Sequence, residues 1–497
     1  MSQINSIYFN NYRVFEHENK FELTPINFLI GPNSSGKSSI FKALLLLKSN
    51  VTNDLQILDF SNTKHNLGSF DNTINKNCKT DSLTFGFEAT VNDDVQYSYN
   101  KLPFTTRRSI YNILIEDAAK EVSLKIFLTY VKNDTSGKLR KIEIFKENDD
   151  KSFFRLEIGS PEDEYHKLFF NHIMVLKNKV LEEIFLRNVF RDKYIIDKKN
   201  INFNYKTSVN LNVSENNVKK YYDEPTLVFS HLYEKFIESN VKLTINKQIH
   251  RYLKGMPLRR ILKDFSSLLD NTEYIEAVRA NTKRLYTNDS QGTSFNELIL
   301  EYRSRDISQK SITFINKWLK MFEIADNVEF INIEGVANTV FLIRGNEKIA
   351  LADLGYGITQ FLPIIMRISL EEPIRDRGYR VVKKTILLEE PETNLHPKLQ
   401  SLLADFLVDA VKTFEIRLIV ETHSEYIIRK MQLLTAEKAI NSKETSIYYF
   451  NAPSKSSQQI LQIHIRENGT LSNDFGDGFY DEAAELKYKL LKYKNMR

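Results

Sequence analysis

The chain has 497 residues, of which 42% are hydrophobic and 27% are charged, and its formal net charge is +5. This composition excludes a disordered or collagen-like chain and leaves room for two or three domains. The only cysteine, Cys78, excludes an internal disulfide framework and a cysteine-based zinc site, and it favours a reducing compartment. The apolar runs are too short for a membrane helix, and the first residues lack the pattern of a signal peptide. We therefore expect a cytoplasmic protein with no membrane partner.

The first fifty residues predict strands followed by a helix. The stretch "INFLI" (26–30) is a short apolar strand, and "GPNSSG" (31–36) contains the residues typical of a turn. "KSSIFKALLLLK" (37–48) then has the apolar spacing of a helix. The order strand, glycine loop, helix is thus predicted near the N-terminus.

This loop fits the phosphate-binding pattern G-x-x-x-x-G-K-[ST] in "GPNSSGKS" (31–38). Gly31 and Gly36 allow backbone N–H groups to turn inward around a phosphate. Lys37 supplies a cation for the β- and γ-phosphates, and the hydroxyl of Ser38 can bind Mg²⁺. The N-terminus of the following helix also attracts phosphate. ATP and Mg²⁺ are therefore the expected cofactors.

Residues 96–270 differ in character from the segments on either side. Lys, Asn, Tyr and Phe dominate without a catalytic motif, and the stretch 166–190 is typical of a helix. We therefore predict an inserted, helix-rich domain. Seven basic residues and two aspartates lie between 241 and 270. This run either binds a nucleic-acid backbone or forms a solvated helix face.

Strands and helices alternate again after residue 271, which predicts a parallel sheet. "KTILLEE" (384–390) is an apolar strand ending in two acids, of which Glu389 suits a metal and Glu390 suits a base that orients water. "RLIVETH" (417–423) ends in His423, which is either structural or a sensor of the γ-phosphate. In "LADLGYGITQFLPII" (351–365) the glycines permit either close approach to a ligand or a simple helix cap.

Together, "GPNSSGKSS", "DLGYGITQ", "ILLEEPETNLHP" and "IVETHSEYI" resemble the heads of ABC-type ATPases. This class includes structural-maintenance, recombination and phage-defence ATPases, and the resemblance extends to stand-alone bacterial AAA-family ATPases. It implies an α/β fold, an ABC-type P-loop ATPase head with a parallel-sheet core, flanking antiparallel strands and a helix-rich inserted domain. The implied domains are an N-terminal lobe with Walker A (1–95), the insertion (96–270), a C-terminal lobe (271–470) and a short C-terminal module (471–497).

The resemblance also implies roles for individual residues. Lys37, Glu390 and His423 would be catalytic, with Glu390 as the base and His423 as the switch histidine, while Ser38 and Glu389 would hold the metal. Asn394, Leu395 and His396 would form the D-loop at a dimer interface. The implied nucleotide-binding residues are Gly31, Asn33, Ser34, Ser35, Gly36, Lys37, Ser38 and Ser39 of the Walker A loop, Arg13 near the nucleotide, and Asp353, Gly355, Gly357 and Thr359 of the signature.

Three features depart from the pattern of that class. Glu389 stands where aspartate is usual, the signature is not of the LSGGQ form, and no Q-loop glutamine is found, although His65 or Asn66 could replace it. The acids between 477 and 485 suggest a metal cluster, but the start of a helix explains them better.

A single head of this kind lacks a complete nucleotide site, because the signature contacts the nucleotide of another head. The resemblance therefore implies a homodimer with ATP between the heads, or a higher oligomer built on it. It further implies an ATP-hydrolysing switch in anti-phage defence, acting with a separately encoded effector protein such as a nuclease or toxin. One alternative is a DNA-repair or chromosome-handling clamp that binds DNA through the basic run. Another is a scaffold that binds ATP and barely hydrolyses it.

Overall fold

A computed structural model describes residues 3–51, 55, 57–61, 66–77, 80–92, 121–146, 154–157, 171–172, 207–208, 266, 268–277, 285–287, 294–304, 306–333, 337–371, 374–376, 380–451, 459–475 and 486–491. The chain divides into two compact units. The first comprises Met1–Glu22, Lys42–Asp270 and Arg375–Val382, and the second comprises Leu23–Phe41, Asn271–Ile374 and Lys383–Arg497.

The first unit contains a seven-stranded antiparallel sheet. Its order is β2-β1-β5-β6-β7-β4, and β8 pairs with β7. Aromatic rings pack on this sheet, for example Phe9 against Phe15 with ring centroids 5.3 Å apart. The strands of this unit are β1 Gln3–Asn10, β2 Asn19–Glu22, β4 Ile57–Leu58, β5 Ser82–Asn92, β6 Glu121–Asn133, β7 Ser136–Lys146, β8 Phe154–Glu157, β9 Asn171–His172 and β10 Thr207–Ser208, with a short helix α2 at Phe70–Thr73.

The expectation of a helix-rich insertion does not hold for residues 121–146 and 154–157. There β6 pairs with β5 over residues 121–131 and β7 pairs with β6, so the described residues extend the N-terminal sheet. The cause is visible in "SLKIFLTYV" (123–131), where β-branched and aromatic residues favour a strand. Within the predicted helix at 166–190 the structure describes residues 171–172, which form strand β9 and not a helix. The rest of that stretch and the basic run before residue 266 lie outside the described residues.

The second unit is built on the predicted parallel sheet, whose order is β11-β18-β19-β3-β20-β21. Only β21 runs antiparallel to its neighbour. The central strands are buried on both faces, which explains why they appear as continuous apolar runs in the sequence. Their bounds are β3 Ile26–Ile30, β11 Thr272–Ile275, β18 Thr385–Glu389, β19 Arg417–Glu421, β20 Thr445–Phe450 and β21 Ile460–His464.

Helices and a small antiparallel sheet complete this unit and share one hydrophobic core with the parallel sheet. An aromatic cluster lies within this core, in which Trp318 packs edge-to-face against Phe406 with ring centroids 5.2 Å apart. Among the described residues, no helix is long and apolar enough to cross a membrane. The remaining elements of this unit are α1 Lys37–Ser49, which continues beyond it, β12 Tyr286–Thr287, α3 Ser294–Ser304, α4 Gln309–Met321, β13 Asn327–Ile333, β14 Ala337–Arg344, β15 Glu347–Ala350, α5 Tyr356–Ser369, α6 Pro397–Phe414 and α7 Glu425–Ala436. The paired strands β16 Ile374–Asp376 and β17 Arg380–Val382 belong to the first unit from Arg375 onward.

Candidate nucleotide-binding site

Three parallel strands of the second unit end side by side. Glu389, the last residue of β18, lies opposite Glu421, the last residue of β19. Glu421 in turn lies opposite Leu29 of β3. The loops that follow these strands therefore meet at the carboxyl edge of the sheet, where ligands bind in open α/β sheets.

The loop after β3 has the backbone shape that encloses a phosphate. Gly31, Ser34 and Gly36 have positive φ angles of 147°, 61° and 106°. Such angles are accessible to glycine and unusual for other residues. Helix α1 starts directly after this loop, at Lys37, so its unpaired N–H groups point toward the loop.

Lys37 is held inside this loop. Its side chain is only 4% exposed, and its Nζ donates hydrogen bonds to the carbonyl oxygens of Gly31 and Pro32, both at 2.9 Å. The Oε1 atom of Glu421 lies 3.9 Å from the same Nζ. Burial lowers the pKa of Lys37, and the nearby carboxylates of Glu421 and Glu390 oppose that shift. The cation is thus already placed at the loop that would receive phosphate.

Ser38 contacts a carboxylate that sequence reasoning missed. Its Oγ donates a hydrogen bond to Oε1 of Glu421 at 3.1 Å. Glu421 is 5% exposed, and its Oε2 has no hydrogen-bond partner in the part of the chain that the structure describes. Burial raises the pKa of Glu421 to about 7, although the hydrogen bond from Ser38 and the charge of Lys37 act to lower it. The signal that could have revealed Glu421 was its place next to Thr422 and His423 at a strand end.

Glu389 is held from the other side, by the strand at the edge of the sheet. Tyr274 on β11 donates a hydrogen bond from its hydroxyl to Oε2 of Glu389. Burial, and then the neighbouring Glu389, raise the pKa of Tyr274, so the phenol stays protonated as a donor. The Tyr274 ring also packs edge-to-face on Phe41 of α1, with ring centroids 6.0 Å apart. Tyr274 therefore links the two predicted motifs, and it too was missed as a site residue.

Glu390 and His423 face each other at the open end of the site. Nε2 of His423 lies 3.9 Å from Oε1 of Glu390, and each side chain is 38% exposed. Thr393 donates a hydrogen bond to the other oxygen of Glu390, at 3.2 Å. The backbone of Glu390 has a positive φ of 40°. Burial and the nearby Lys37 lower the pKa of His423, whereas Glu390 acts to raise it. The net lowering favours the neutral imidazole.

Glu392 fixes the backbone at His423. Its Oε1 accepts a hydrogen bond from the His423 N–H at 2.7 Å. The side chain is buried, and Oε2 has no hydrogen-bond partner among the described residues. Burial raises the pKa of Glu392, although the hydrogen bond from His423 opposes this. Sequence reasoning missed this residue, which lies two positions after Glu390.

The oxygen atoms at this edge fit Mg²⁺ bound together with a nucleotide. Among the described residues, no three His, Cys, Asp or Glu side chains come close enough to hold a metal alone. Mg²⁺ does not require such a cage, because it is usually bound by one or two carboxylates, water and substrate phosphates. The unpaired Oε2 of Glu421 and the hydroxyl of Ser38 are donors of the type that Mg²⁺ prefers.

The predicted signature and D-loop lie against each other within the second unit. A Cβ on Gly357 would lie 2.6 Å from the carbonyl oxygen of Asn394, whose φ is 65°. Asp353 and Gly355 are exposed. Thr359 is only 1% exposed in the single chain, and its contact with nucleotide on a second head stays a prediction.

The other candidate residues are placed as follows. Arg13 lies in the first unit, where its N–H donates to the Thr73 carbonyl oxygen at 2.7 Å, and its role at the nucleotide stays a prediction. Asn66 belongs to the same unit, and its Oδ1 caps the Gly68 N–H. Asn33 and Ser34 are exposed, whereas Ser35 and Ser39 are buried. His65, Cys78 and the acids at 477–485 lie outside the described residues.

Comparison with known proteins gives one family over most of the chain. The model of the AAA ATPase domain family matches residues 3–428, and that of a family described as a protein of unknown function, DUF3696, matches residues 440–490. No curated protein matches.

Solved structures of SMC head domains are also similar to this chain. An SMC head domain from Thermotoga maritima is 9% identical, with a TM-score of 0.35, and the match covers 93% of this chain and 99% of that one. An SmcHead bound to the C-winged helix domain of ScpA is 11% identical, with a TM-score of 0.37, covering 94% of this chain and 98% of that one.

The fold class predicted from the sequence is confirmed, with a parallel core sheet, flanking antiparallel strands and the predicted glycine loop between β3 and α1. The residues matched by the family model include this loop, Glu389 and Glu390 at the end of β18, and His423. The chain therefore belongs to the AAA ATPase domain family.

Proposed function

We propose that this protein is a cytoplasmic ATPase that binds ATP with Mg²⁺, hydrolyses it, and works as a nucleotide-driven dimeric switch. One observation carries the proposal: the carboxyl edge of a single sheet brings together Lys37, Ser38 and the pair of Glu390 and His423. Phosphoryl transfer to water needs a cation, a metal-binding hydroxyl and a group that orients water, and these residues supply all three.

Each residue has a distinct role in this proposal. Lys37 and the N–H groups of the loop bind the phosphates, and Ser38 would hold Mg²⁺. The metal, when bound, neutralises charge on the β- and γ-phosphates. Glu390 accepts a proton from water, and Thr393 keeps one of its oxygens oriented so that the other faces outward. His423 donates a hydrogen bond to the γ-phosphate, which its neutral form can do through one ring N–H.

Homodimer formation follows from the separation of the two half-sites. The exposed signature residues Asp353 and Gly355 and the exposed D-loop residues Asn394 and His396 would contact the nucleotide and surface of a second copy. ATP would then hold the two heads together, and hydrolysis would release them, which is a shift of population driven by ligand. Sedimentation with and without ATP tests this directly, and a monomer under both conditions would contradict it.

Two substitutions test the ATPase itself. Lys37→Ala should abolish ATP binding. Glu390→Gln should retain ATP binding and the ATP-bound dimer but lose turnover by roughly 100-fold or more, as expected for removal of a general base. Phosphate release and equilibrium binding of ATP are measured on the same preparations. Unchanged turnover in Glu390→Gln would contradict the assignment of the base.

We further propose a role in anti-phage defence with a separately encoded effector, a nuclease or a toxin. This rests on the resemblance to stand-alone bacterial ATPases of that kind and on no chemistry of the chain itself. The test is phage plating on cells carrying the gene with its neighbouring genes. Wild type should reduce plating, and Lys37→Ala should not.

The alternative is a clamp that handles DNA, motivated by the basic run between 241 and 270. In that case the purified protein would bind DNA with an affinity that falls steeply with salt. Reversing the charges of Arg259 and Arg260 would remove the binding. Absent or salt-independent binding would favour a protein partner instead.

A further inference from the structure

We infer that Glu421, and not Glu389, is the carboxylate that orients Ser38 and faces Mg²⁺ when nucleotide is bound. The Walker B motif would assign this role to Glu389. The inference rests on the proposed function, and it concerns which residue of this chain performs one part of it.

The strand order favours Glu421. Strand β19 lies between β3 and β18, so its last residue is the direct neighbour of the strand that leads into the phosphate-binding loop. Glu389 lies one strand farther away. In this chain a glutamate already occupies the end of β19.

The contact with Ser38 is the second observation. Ser38 has a single hydroxyl proton, and it donates this proton to Oε1 of Glu421 at 3.1 Å. A hydroxyl that gives its proton to a carboxylate keeps both oxygen lone pairs available for another ligand. Glu421 therefore prepares Ser38 to bind a cation.

The third observation concerns the remaining oxygen of Glu421. The side chain is 6% exposed, and Oε2 has no hydrogen-bond partner among the described residues. A buried carboxylate oxygen without a partner is costly to the fold. Lys37 lies 3.9 Å from the other oxygen, so it compensates the charge only in part. A divalent cation, or water bound to it, would satisfy Oε2.

Glu389 is meanwhile committed to a different contact. Its Oε2 accepts the hydrogen bond from Tyr274, on the side of the strand that faces away from β19. Glutamate is also one methylene longer than the aspartate usual at this position, which suits a reach toward β11. We therefore assign Glu389 a positioning role.

The test compares two isosteric variants, Glu421→Gln and Glu389→Gln. A fluorescent ATP analogue is titrated in Mg²⁺ and in EDTA, and the ratio of the two Kd values measures how much the metal contributes to binding. Glu421→Gln should reduce this ratio by about tenfold or more, as loss of a group that orients a metal ligand typically does. Its affinity in EDTA should not fall, because a negative charge near the phosphates has been removed. Glu389→Gln should keep most of the ratio.

Direct binding of Mn²⁺ in the presence of ADP, followed by electron paramagnetic resonance, gives a second measurement independent of turnover. The inference is overturned if Glu389→Gln loses metal binding as much as Glu421→Gln or more. If Glu421→Gln does not fold, Glu421→Asp replaces it, because the shorter acid keeps the charge but moves it away from Ser38. An unchanged metal contribution in Glu421→Asp would then contradict the inference.

The outcome for wild type separates this inference from the proposed function. Wild type that binds no ATP at all overturns both. In a second outcome, Mg²⁺ improves ATP binding by wild type, and Glu389→Gln rather than Glu421→Gln loses this improvement. That result leaves the ATPase proposal intact and overturns only the assignment of Glu421.

Discussion

A Cβ atom on Gly357 would lie 2.6 Å from the carbonyl oxygen of Asn394, so the predicted signature and D-loop touch backbone to backbone within one chain. Gly357→Ala must push the two segments apart. We expect a net loss of about 1–2 kcal/mol in stability, because overpacking outweighs the gain in helix propensity.

The matched control is Gly355→Ala, where no atom of the described residues, chain neighbours aside, lies within 4 Å of the added methyl group. Thermal unfolding of the two nucleotide-free variants should show a lower midpoint for Gly357→Ala only. Equal midpoints would mean that the contact with Asn394 adjusts without cost.

Removal of the Tyr274 hydroxyl should loosen Glu389. Tyr274→Phe keeps the ring that packs on Phe41 but deletes the hydrogen bond to the carboxylate. We expect a loss of about 1–2 kcal/mol, since hydrogen bonds to charged groups contribute more than neutral ones. The same change is made in a Glu389→Gln background, with stability measured by urea unfolding. A loss of the same size in both backgrounds would show that the contact with Glu389 is not its cause.

The backbone of the phosphate-binding loop should reject a side chain at Gly31 for two reasons. Its φ is 147°, and a Cβ there would clash with the carbonyl oxygen of Phe450 on β20. Gly31→Ala should therefore cost about 3 kcal/mol or more and abolish ATP binding.

Gly345 separates the two causes, because its φ is also positive, at 52°, but its Cβ position has no neighbour within 4 Å in the described part of the chain, apart from the adjacent residues. Gly345→Ala should cost only the conformational strain, about 1 kcal/mol. Thermal unfolding compares the two. A loss at Gly345 as large as the loss at Gly31 would contradict the role of the clash with Phe450.

The buried carboxyl of Glu392 should make stability depend on pH. Burial raises its pKa above the ordinary 4.5, so between these two pKa values the folded state binds more protons than the unfolded state. The free energy of unfolding therefore rises as the pH falls through this window. Above the window Glu392 is charged in the folded state as well, and the full cost of burying that charge lowers stability.

Glu392→Gln should flatten this slope, because the neutral amide has no proton to bind. Thermal midpoints between about pH 8 and about pH 5 measure the effect. Glu437→Gln, at an exposed acid just after α7, removes the same charge without burial and should leave the slope unchanged. Parallel slopes in wild type and Glu392→Gln would contradict the prediction.

Local motifs explain why much of the fold and part of the site could be predicted. The phosphate-binding loop, the acids at 389–390 and His423 each lie within a few residues of a strong apolar strand, so the sequence alone predicts both the element and its end. Parallel strands then bring these ends to one edge. The structure places Lys37 within reach of Glu421 and His423 opposite Glu390, in line with this expectation.

Contacts that depend on register could not be predicted in this way. Tyr274 reaches Glu389 only because β11 pairs with β18, and these strands are more than a hundred residues apart in the chain. Glu421 lies near the loop after β3 because β19 pairs with β3. Residues 121–146 lack a chemical motif, and their strands were missed because the surrounding segment was interpreted by its average composition.

The left-handed backbone of Glu390, with φ of 40°, has a consequence for how this protein can change over time. A non-glycine residue in that region is strained, and such strain usually persists where function demands it. Glycine or asparagine at this position would relieve the strain while removing the proposed base. Substitutions at this position that stabilise the protein would therefore remove ATP hydrolysis. A descendant that binds ATP without hydrolysing it would be the more stable protein.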